Sequence, residues 1–286
     1  MSGRPPSERW EPPHTVRASR RRGRRRLIVL LLILLLGAVA VSGFVSGWRR
    51  SPETSATTTG PPLEKLVFPE GLRREEMADL IAQKTDLSAE RYLELTGSSA
   101  RGAQMAGRSA PTSLEGFLFP ATYEIGTETT VDFLIDQQLR AFDREMSKID
   151  LSYAESKNLT RYDVVIIASL IEREVKVPSE RRIVAGVIYN RLKRGMRLDI
   201  DATVQYAVGE WRPLTAADLR SSSPFNTRRF TGLPPGPICN PGAASLEAAA
   251  NPAHHDYLYY VARNDGSGGH RFARTLEEFN RLQENS

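Results

Sequence analysis

Leu27–Trp48 reads LIVLLLILLLGAVAVSGFVSGW, 22 consecutive residues without a charge. No other stretch constrains the chain as strongly. As a helix it would extend roughly 33 Å, enough to cross the hydrocarbon core of a bilayer. Arg20–Arg26 precede it directly, and Trp48, Arg49 and Arg50 close it. Seven Arg lie between residues 17 and 26 against two just after the run. That asymmetry predicts a retained single-pass anchor, with the N-terminus cytoplasmic and everything past residue 50 outside. The competing reading is a cleaved signal peptide, with Leu27–Leu36 as its apolar segment and Ala38-Val39-Ala40 as its cleavage site. Against it, the apolar run continues past that site. Either way the body works outside the membrane.

The formal charge of +5 invites a nucleic-acid reading, but its distribution removes it. Residues 1–26 hold nine Arg against Glu8 and Glu11, a local +7, which leaves −2 for the other 260 residues. A basic tail on a nearly neutral body is not a nucleic-acid-binding surface, and no nucleic-acid partner is expected. One cysteine and four histidines exclude a disulfide framework and argue against a multi-cysteine or histidine-rich metal site. No metal and no cofactor is expected. Cys239 sits in a Pro/Gly-rich loop without a neighbouring His or Lys, so an inert, semi-buried thiol is expected. No Walker-type loop and no Gly-x-Ser-x-Gly elbow occurs.

The expected organisation is a cytoplasmic Arg-rich tail (1–26), the apolar segment (27–48), a Ser/Thr/Pro-rich tether (49–62), a small strand–helix unit (63–98) and a larger domain (110–286). The fold class is α+β. Leu66-Val67-Phe68 predicts a short strand ending at the turn Pro69-Glu70-Gly71. Helices are predicted around Met77–Lys84 and over Ala89–Leu95, and Gly97–Ser109 reads as a loop of small residues. Thr129–Ser147 is an amphipathic helix with Phe133, Leu134, Leu139 and Phe142 on its apolar side. Leu198 and Ile200 alternate with polar residues and predict a short strand, and Pro224–Gly242 is too rich in Pro and Gly for regular structure. Asp256–Arg263 and His270–Ala273 read as a hairpin, followed by a closing helix.

Asp163–Val175 carries the chemical signal. Val164–Ile171 is apolar except for Ser169, and Glu172-Arg173-Glu174 follows. A helix apolar on every side is buried, so Glu172 lies at the mouth of a buried helix. Glu172 and Glu174 stand about 200° apart on the helical wheel and cannot face one site. A carboxyl buried away from cations is raised toward neutrality and can act as a general acid. The plainer alternative pairs Glu172 with Arg173, Lys176 or Arg181 at a solvated helix end.

Ala168–Glu174, Ser179-Glu180-Arg181, Val187–Leu192, Gly195–Leu198, Thr203–Tyr206, Ser223–Thr227, Gly232–Ile238, Asn240-Pro241-Gly242, Tyr257-Leu258-Tyr259 and Gly269–Phe272 follow one another in an order that resembles the YceG-like family of bacterial endolytic murein transglycosylases. Leu114–Pro120 resembles that family's upstream motif. The resemblance covers about residues 63–282. It implies a protein of the bacterial cytoplasmic membrane with a periplasmic or extracytoplasmic catalytic domain over 110–286, preceded at 63–98 by a partial LysM-like unit. The implied activity is non-hydrolytic cleavage of the MurNAc–GlcNAc β-1,4 bond within nascent peptidoglycan strands. It leaves 1,6-anhydromuramyl ends and terminates glycan elongation. The implied partners are glycan strands, the membrane and, by family analogy, wall synthases and division proteins.

The family's catalytic carboxylate falls on Glu172. A glycosidase ordinarily needs two carboxyls. In a lytic transglycosylase the sugar's own C6 hydroxyl attacks, so one residue can give and then take the proton. Gln205, Asn226 and Thr227 are uncharged hydrogen-bonders suited to sugar groups, with turn or capping roles as the alternative. Asp201 is a further substrate-side candidate, or a helix cap. Glu115 is either a partner of the site or loop structure, and Tyr189 and Tyr206 either stack on sugars or pack in the core. A muramidase-type hydrolase on the same site is the rival enzyme, which a second carboxylate near Glu172 would favour, with Asp199 or Asp201 as candidates. A glycan-binding scaffold is the non-enzymatic rival. The chain departs from the family's usual residues at Ala202, Arg228 and Phe279.

Overall fold

The computed structural model describes residues 63–284, which lie in one compact unit. Among them no helix is long and apolar enough to cross a membrane. The run Leu27–Trp48, the Arg-rich tail and the tether fall outside the described residues.

Helices supply most of the architecture, with two small antiparallel sheets. In chain order the elements are β1 (Glu64–Val67), α1 (Arg74–Lys84), α2 (Ala89–Thr96), α3 (Ala100–Ala106), β2 (Thr122–Ile125), α4 (Val131–Met146), α5 (Ser152–Glu155) and α6 (Arg161–Glu174). A 3-10 turn at Pro178–Glu180 leads into α7 (Arg181–Lys193), followed by α8 (Asp201–Val208), α9 (Ala216–Leu219), α10 (Ala243–Ala250), β3 (Tyr259–Ala262), β4 (His270–Ala273) and α11 (Leu276–Glu284).

α6 is the axis of the molecule. Thr160 caps it: its Oγ1 accepts from Asp163 N–H at 3.2 Å, and the Asp163 carboxylate accepts from Thr160 N–H at 2.8 Å. From Val164 to Ile171 every side chain is buried, as a helix without a polar face must be. Its most extensive partner is α10, whose sequence AASLEAAA lets the two backbones approach closely. Each large aliphatic side chain buried there contributes roughly 1.5–3 kcal/mol. The buried hydroxyl of Ser169 donates to Ile166 O at 2.7 Å and accepts from Ile238 N–H at 3.0 Å, which ties the Pro-rich loop to α6.

The strand–helix unit at 63–98 is sewn into the larger body. β1 pairs antiparallel with β2, Leu66 opposite Tyr123, both buried. Gly71 N–H donates to Asn240 O and Asn240 N–H donates to Leu72 O, each at 2.9 Å. One continuous core runs from Leu66 through Ala250. A strand and two short helices cannot bury a core alone, and here they share one.

Three local expectations are corrected. The stretch expected as a loop at 97–109 contains α3, capped by Ser99, whose Oγ accepts from Gly102 N–H at 3.1 Å. Its small residues Gly102, Ala103 and Ala106 are buried and serve close packing rather than looseness. Leu198 and Ile200 are buried as their alternation predicts, but they form no strand. Asp199 takes φ +54°, which interrupts extension, and only the single bridge Arg197–Thr231 remains. Phe133 is 51% exposed, whereas Leu134, Leu139 and Phe142 on the same helix are buried. The hairpin β3–β4 and closing helix α11 stand where the pattern puts them.

Candidate active site

Glu172 occupies the last turn of α6, where the helix leaves the core, with its side chain 8% exposed. One carboxylate oxygen accepts from Gly242 N–H at 3.0 Å. Gly242 is the N-cap residue of α10, so the carboxylate sits against a helix N-terminus, where an anion is favoured. The other oxygen lies 3.8 Å from Arg181 Nη2, and Arg181 Nε donates to Ser245 Oγ at 3.3 Å. Glu172 is thus not buried away from cations: Arg181, one of the partners the plainer alternative offered, stands beside it. Glu174 points elsewhere, accepting from Tyr260 O–H at 3.0 Å, and its carboxyl is pushed up by burial. The wheel argument that separated the two holds.

A second carboxylate shares the site, and it is neither Asp199 nor Asp201. Glu70 lies on the turn after β1. A methyl group built on Gly242 would fall 1.8 Å from Glu70 Oε1, so the carboxylate occupies the space a side chain there would need. Gly71, at φ +83°, carries the same turn onto the end of α6, where a methyl group at Gly71 would stand 3.5 Å from Glu172 Cγ. That conformation is open to glycine at little cost. Arg173 Nη1 donates to Gly71 O at 3.2 Å and fixes the contact. Glu70 is held above the usual carboxylate range by burial and by the charge of Glu172, against the opposing effect of Arg181. Asp199 pairs with Arg191 at 3.1 Å, and Asp201 pairs with Arg228.

The remaining candidates separate cleanly. Glu115 is 1% exposed. Its carboxylate accepts from Asn240 Nδ2 at 2.8 Å and from Arg74 N–H at 3.4 Å, so it supports the loop beneath the site and is closed to a ligand. Asn226 is fully buried: Nδ2 donates to Leu219 O and Ser221 O, and Oδ1 accepts from Arg228 N–H. Thr227 is 2% exposed and bonds Ile200 N–H and the Thr203 hydroxyl. These two stabilise the turn of an irregular loop, whose backbone groups need side-chain partners. Gln205 is partly exposed, with Nε2 donating to Arg212 O at 2.7 Å. Asp201 is exposed on the outer end of α8. Tyr189 is a core residue, its hydroxyl bonded to Ala249 O at 2.8 Å, and Tyr206 packs on Phe225. Cys239 is fully buried, and burial pushes its thiol up.

Two features beside the site were not anticipated. Arg173 stacks 3.7 Å from the ring centre of Trp211, and Arg73 lies 5.1 Å from it. Arg73 Nε, Arg173 Nε and Trp211 Nε1 are buried N–H donors without a hydrogen-bond acceptor, although Arg73 Nε lies 3.8 Å from the Glu76 carboxylate. Donors left unpaired in this way are costly unless something else supplies the acceptor. Glu180 accepts from His270 N–H at 2.9 Å and bonds its Nδ1 at 2.7 Å, which clamps β4 to the start of α7.

Glu115 yields a stability prediction. Burial, aided by the charge of Glu75, pushes its carboxyl up to about 8 from an ordinary 4.5. A folded value above the unfolded one stabilises the protein fully below pH 4.5, and that contribution is lost as pH rises through about 8. Glu115→Gln removes this dependence. The unfolding free energy of the wild type, followed through its thermal midpoint, should fall relative to the variant between those pH values, by up to about 1.4 kcal/mol per pH unit. Parallel midpoint curves would contradict it.

The YceG-like family matches residues 50–285. The chain is 35% identical over 226 residues to the endolytic murein transglycosylase of Streptococcus pneumoniae, covering 71% of this chain and 41% of that protein. To the endolytic murein transglycosylase of Bacillus subtilis it is 38% identical over 173 residues, covering 60% and 47%. It therefore spans less than half the length of these relatives. A 2.6 Å crystal structure of a yceG-like protein from Listeria monocytogenes aligns at TM-score 0.69 and 36% identity, covering 76% of this chain and 75% of that one. Taken with the fold and the placement of Glu172, these matches establish that the chain belongs to the YceG-like family.

Proposed function

We propose that the chain is an endolytic lytic transglycosylase that cleaves the MurNAc–GlcNAc β-1,4 bond within peptidoglycan strands, with Glu172 as general acid and base. The carrying observation is the Glu172 carboxylate, buried at the end of α6 and oriented by Gly242 N–H in a chain of this family. Glu172 protonates the leaving glycosidic oxygen. The C6 hydroxyl of the muramyl residue attacks C1 and yields its proton, so an anhydro end forms without water. The apolar run at 27–48 anchors the enzyme in the bacterial cytoplasmic membrane with its body outside, near the wall synthases and division proteins that supply its strands.

A hydrolase is the second reading, and Glu70 is the observation that favours it: a second carboxylate beside Glu172 could activate water. Mass spectrometry of glycan strands incubated with the full chain decides between them. Internal fragments ending in anhydromuramyl support the proposal. Reducing ends one water heavier establish the hydrolase, and binding without cleavage leaves a scaffold.

A further inference from the structure

Gly242 N–H orients one oxygen of Glu172, and the turn after β1 confines its stem. A methyl group built on Gly71 would stand 3.5 Å from Glu172 Cγ and 3.6 Å from Arg173 Nη1, so the turn lies between these two neighbouring side chains. The hydrogen bond from Arg173 Nη1 to Gly71 O at 3.2 Å keeps it there. Arg173 is held in turn by its face. Its guanidinium carbon lies 3.7 Å from the ring centre of Trp211, and that of Arg73, two residues past Gly71, lies 5.1 Å from the same ring. One indole therefore joins the end of α6 to the turn that packs on Glu172. Trp211 is firmly presented as well. Gln205 Nε2 donates to Arg212 O at 2.7 Å, and the Arg212 guanidinium bonds Glu210 and Asp218 at 2.7 Å each, which knots the connection between α8 and α9 around Trp211. Trp211 Nε1 makes no hydrogen bond, so the indole acts through its ring face and not through its N–H.

We propose that Trp211 is a positioning residue for strand cleavage: through Arg173 it holds turn 69–71 against Glu172 and so fixes the direction of that carboxyl. This rests on the reading of Glu172 as general acid and base. A carboxyl that gives a proton to one substrate oxygen and takes one from another must keep its place through both transfers. A displacement of about 1 Å is enough to cost about 10²-fold in rate. The contact also sets what each position will accept. Position 211 needs an aromatic face and has no use for a donor. Position 173 needs the planar guanidinium, which stacks on the ring while its Nη1 reaches the Gly71 carbonyl; an ammonium keeps the charge but has no plane to stack.

The test compares the full-length wild type with Trp211→Phe, Trp211→Leu, Arg173→Lys and the double variant Trp211→Leu/Arg173→Lys on purified glycan strands, reading kcat, KM and the thermal midpoint. Trp211→Leu and Arg173→Lys should each lower kcat about 10²-fold with KM nearly unchanged, because the ground-state contacts to the strand persist. Trp211→Phe should recover most of the lost kcat. The double variant should lose no more than either single one, since both break the same contact. Should Trp211→Leu fail to fold, Arg173→Lys beside Trp211→Phe carries the same test. Wild-type kcat in Arg173→Lys, a Trp211→Phe as impaired as Trp211→Leu, losses that multiply in the double variant, or a rise in KM alone would each overturn the inference. Wild-type cleavage that survives Glu172→Gln would instead overturn the reading beneath it.

Discussion

Glu172→Gln is expected to reduce strand cleavage by roughly 10³-fold or more, with the thermal midpoint within a few degrees of wild type. The amide keeps the carboxyl's shape and can still accept from Gly242 N–H through its oxygen. It cannot give or take a proton. The cost therefore falls on kcat, while glycan binding, made by surrounding groups, persists. The contact with Arg181 at 3.8 Å becomes charge-to-amide, a small loss at a helix end already packed on both sides. Glycan cleavage rates beside calorimetric midpoints check this. A variant that keeps activity within tenfold would exclude Glu172 from the chemistry.

Asn240→Ala is expected to be the most destabilising of these substitutions, by about 3–5 kcal/mol. Asn240 is fully buried, and its side chain joins three segments. Oδ1 accepts from Gly116 N–H at 2.8 Å and Leu118 N–H at 3.0 Å, and Nδ2 donates to Leu72 O at 3.0 Å and Glu115 at 2.8 Å. Alanine leaves those buried partners unpaired, and no water replaces them without a cavity. For a body of this size the thermal midpoint should drop by roughly 10 °C. Activity should fall as well, because Gly242 N–H is two residues away and Gly71 is bonded to the backbone of Asn240 itself. A drop below about 3 °C would show that the loop is held by other means.

Periodicity made much of this fold legible. The all-round apolar run 164–171 demanded a buried helix, and the structure surrounds it with α7, α8 and α10. The capping pair Thr160 and Asp163, which fixes where it begins, emerges only in the structure. Motif order pointed to Glu172, and wheel geometry separated Glu174 from it. Glu70 was not legible, because Pro69-Glu70-Gly71 reads as any strand-ending turn, and its approach to Glu172 exists only once β1 pairs with β2 and the turn docks on α6. Asn226 and Thr227 were misplaced for a related reason. Uncharged hydrogen-bonders in a loop suit a ligand and a buried backbone equally well, and burial decides. In α3, small residues that suggested a loose linker were selected by close packing.

The central claim is that the nucleophile belongs to the substrate and not to solvent. Cleavage of purified glycan strands by the full chain in ¹⁸O-enriched water, followed by mass spectrometry of the new ends, tests it most directly. The account predicts anhydromuramyl ends carrying no ¹⁸O, lost together with cleavage in Glu172→Gln. Uptake of one ¹⁸O at the new anomeric carbon would contradict it and make the enzyme a hydrolase.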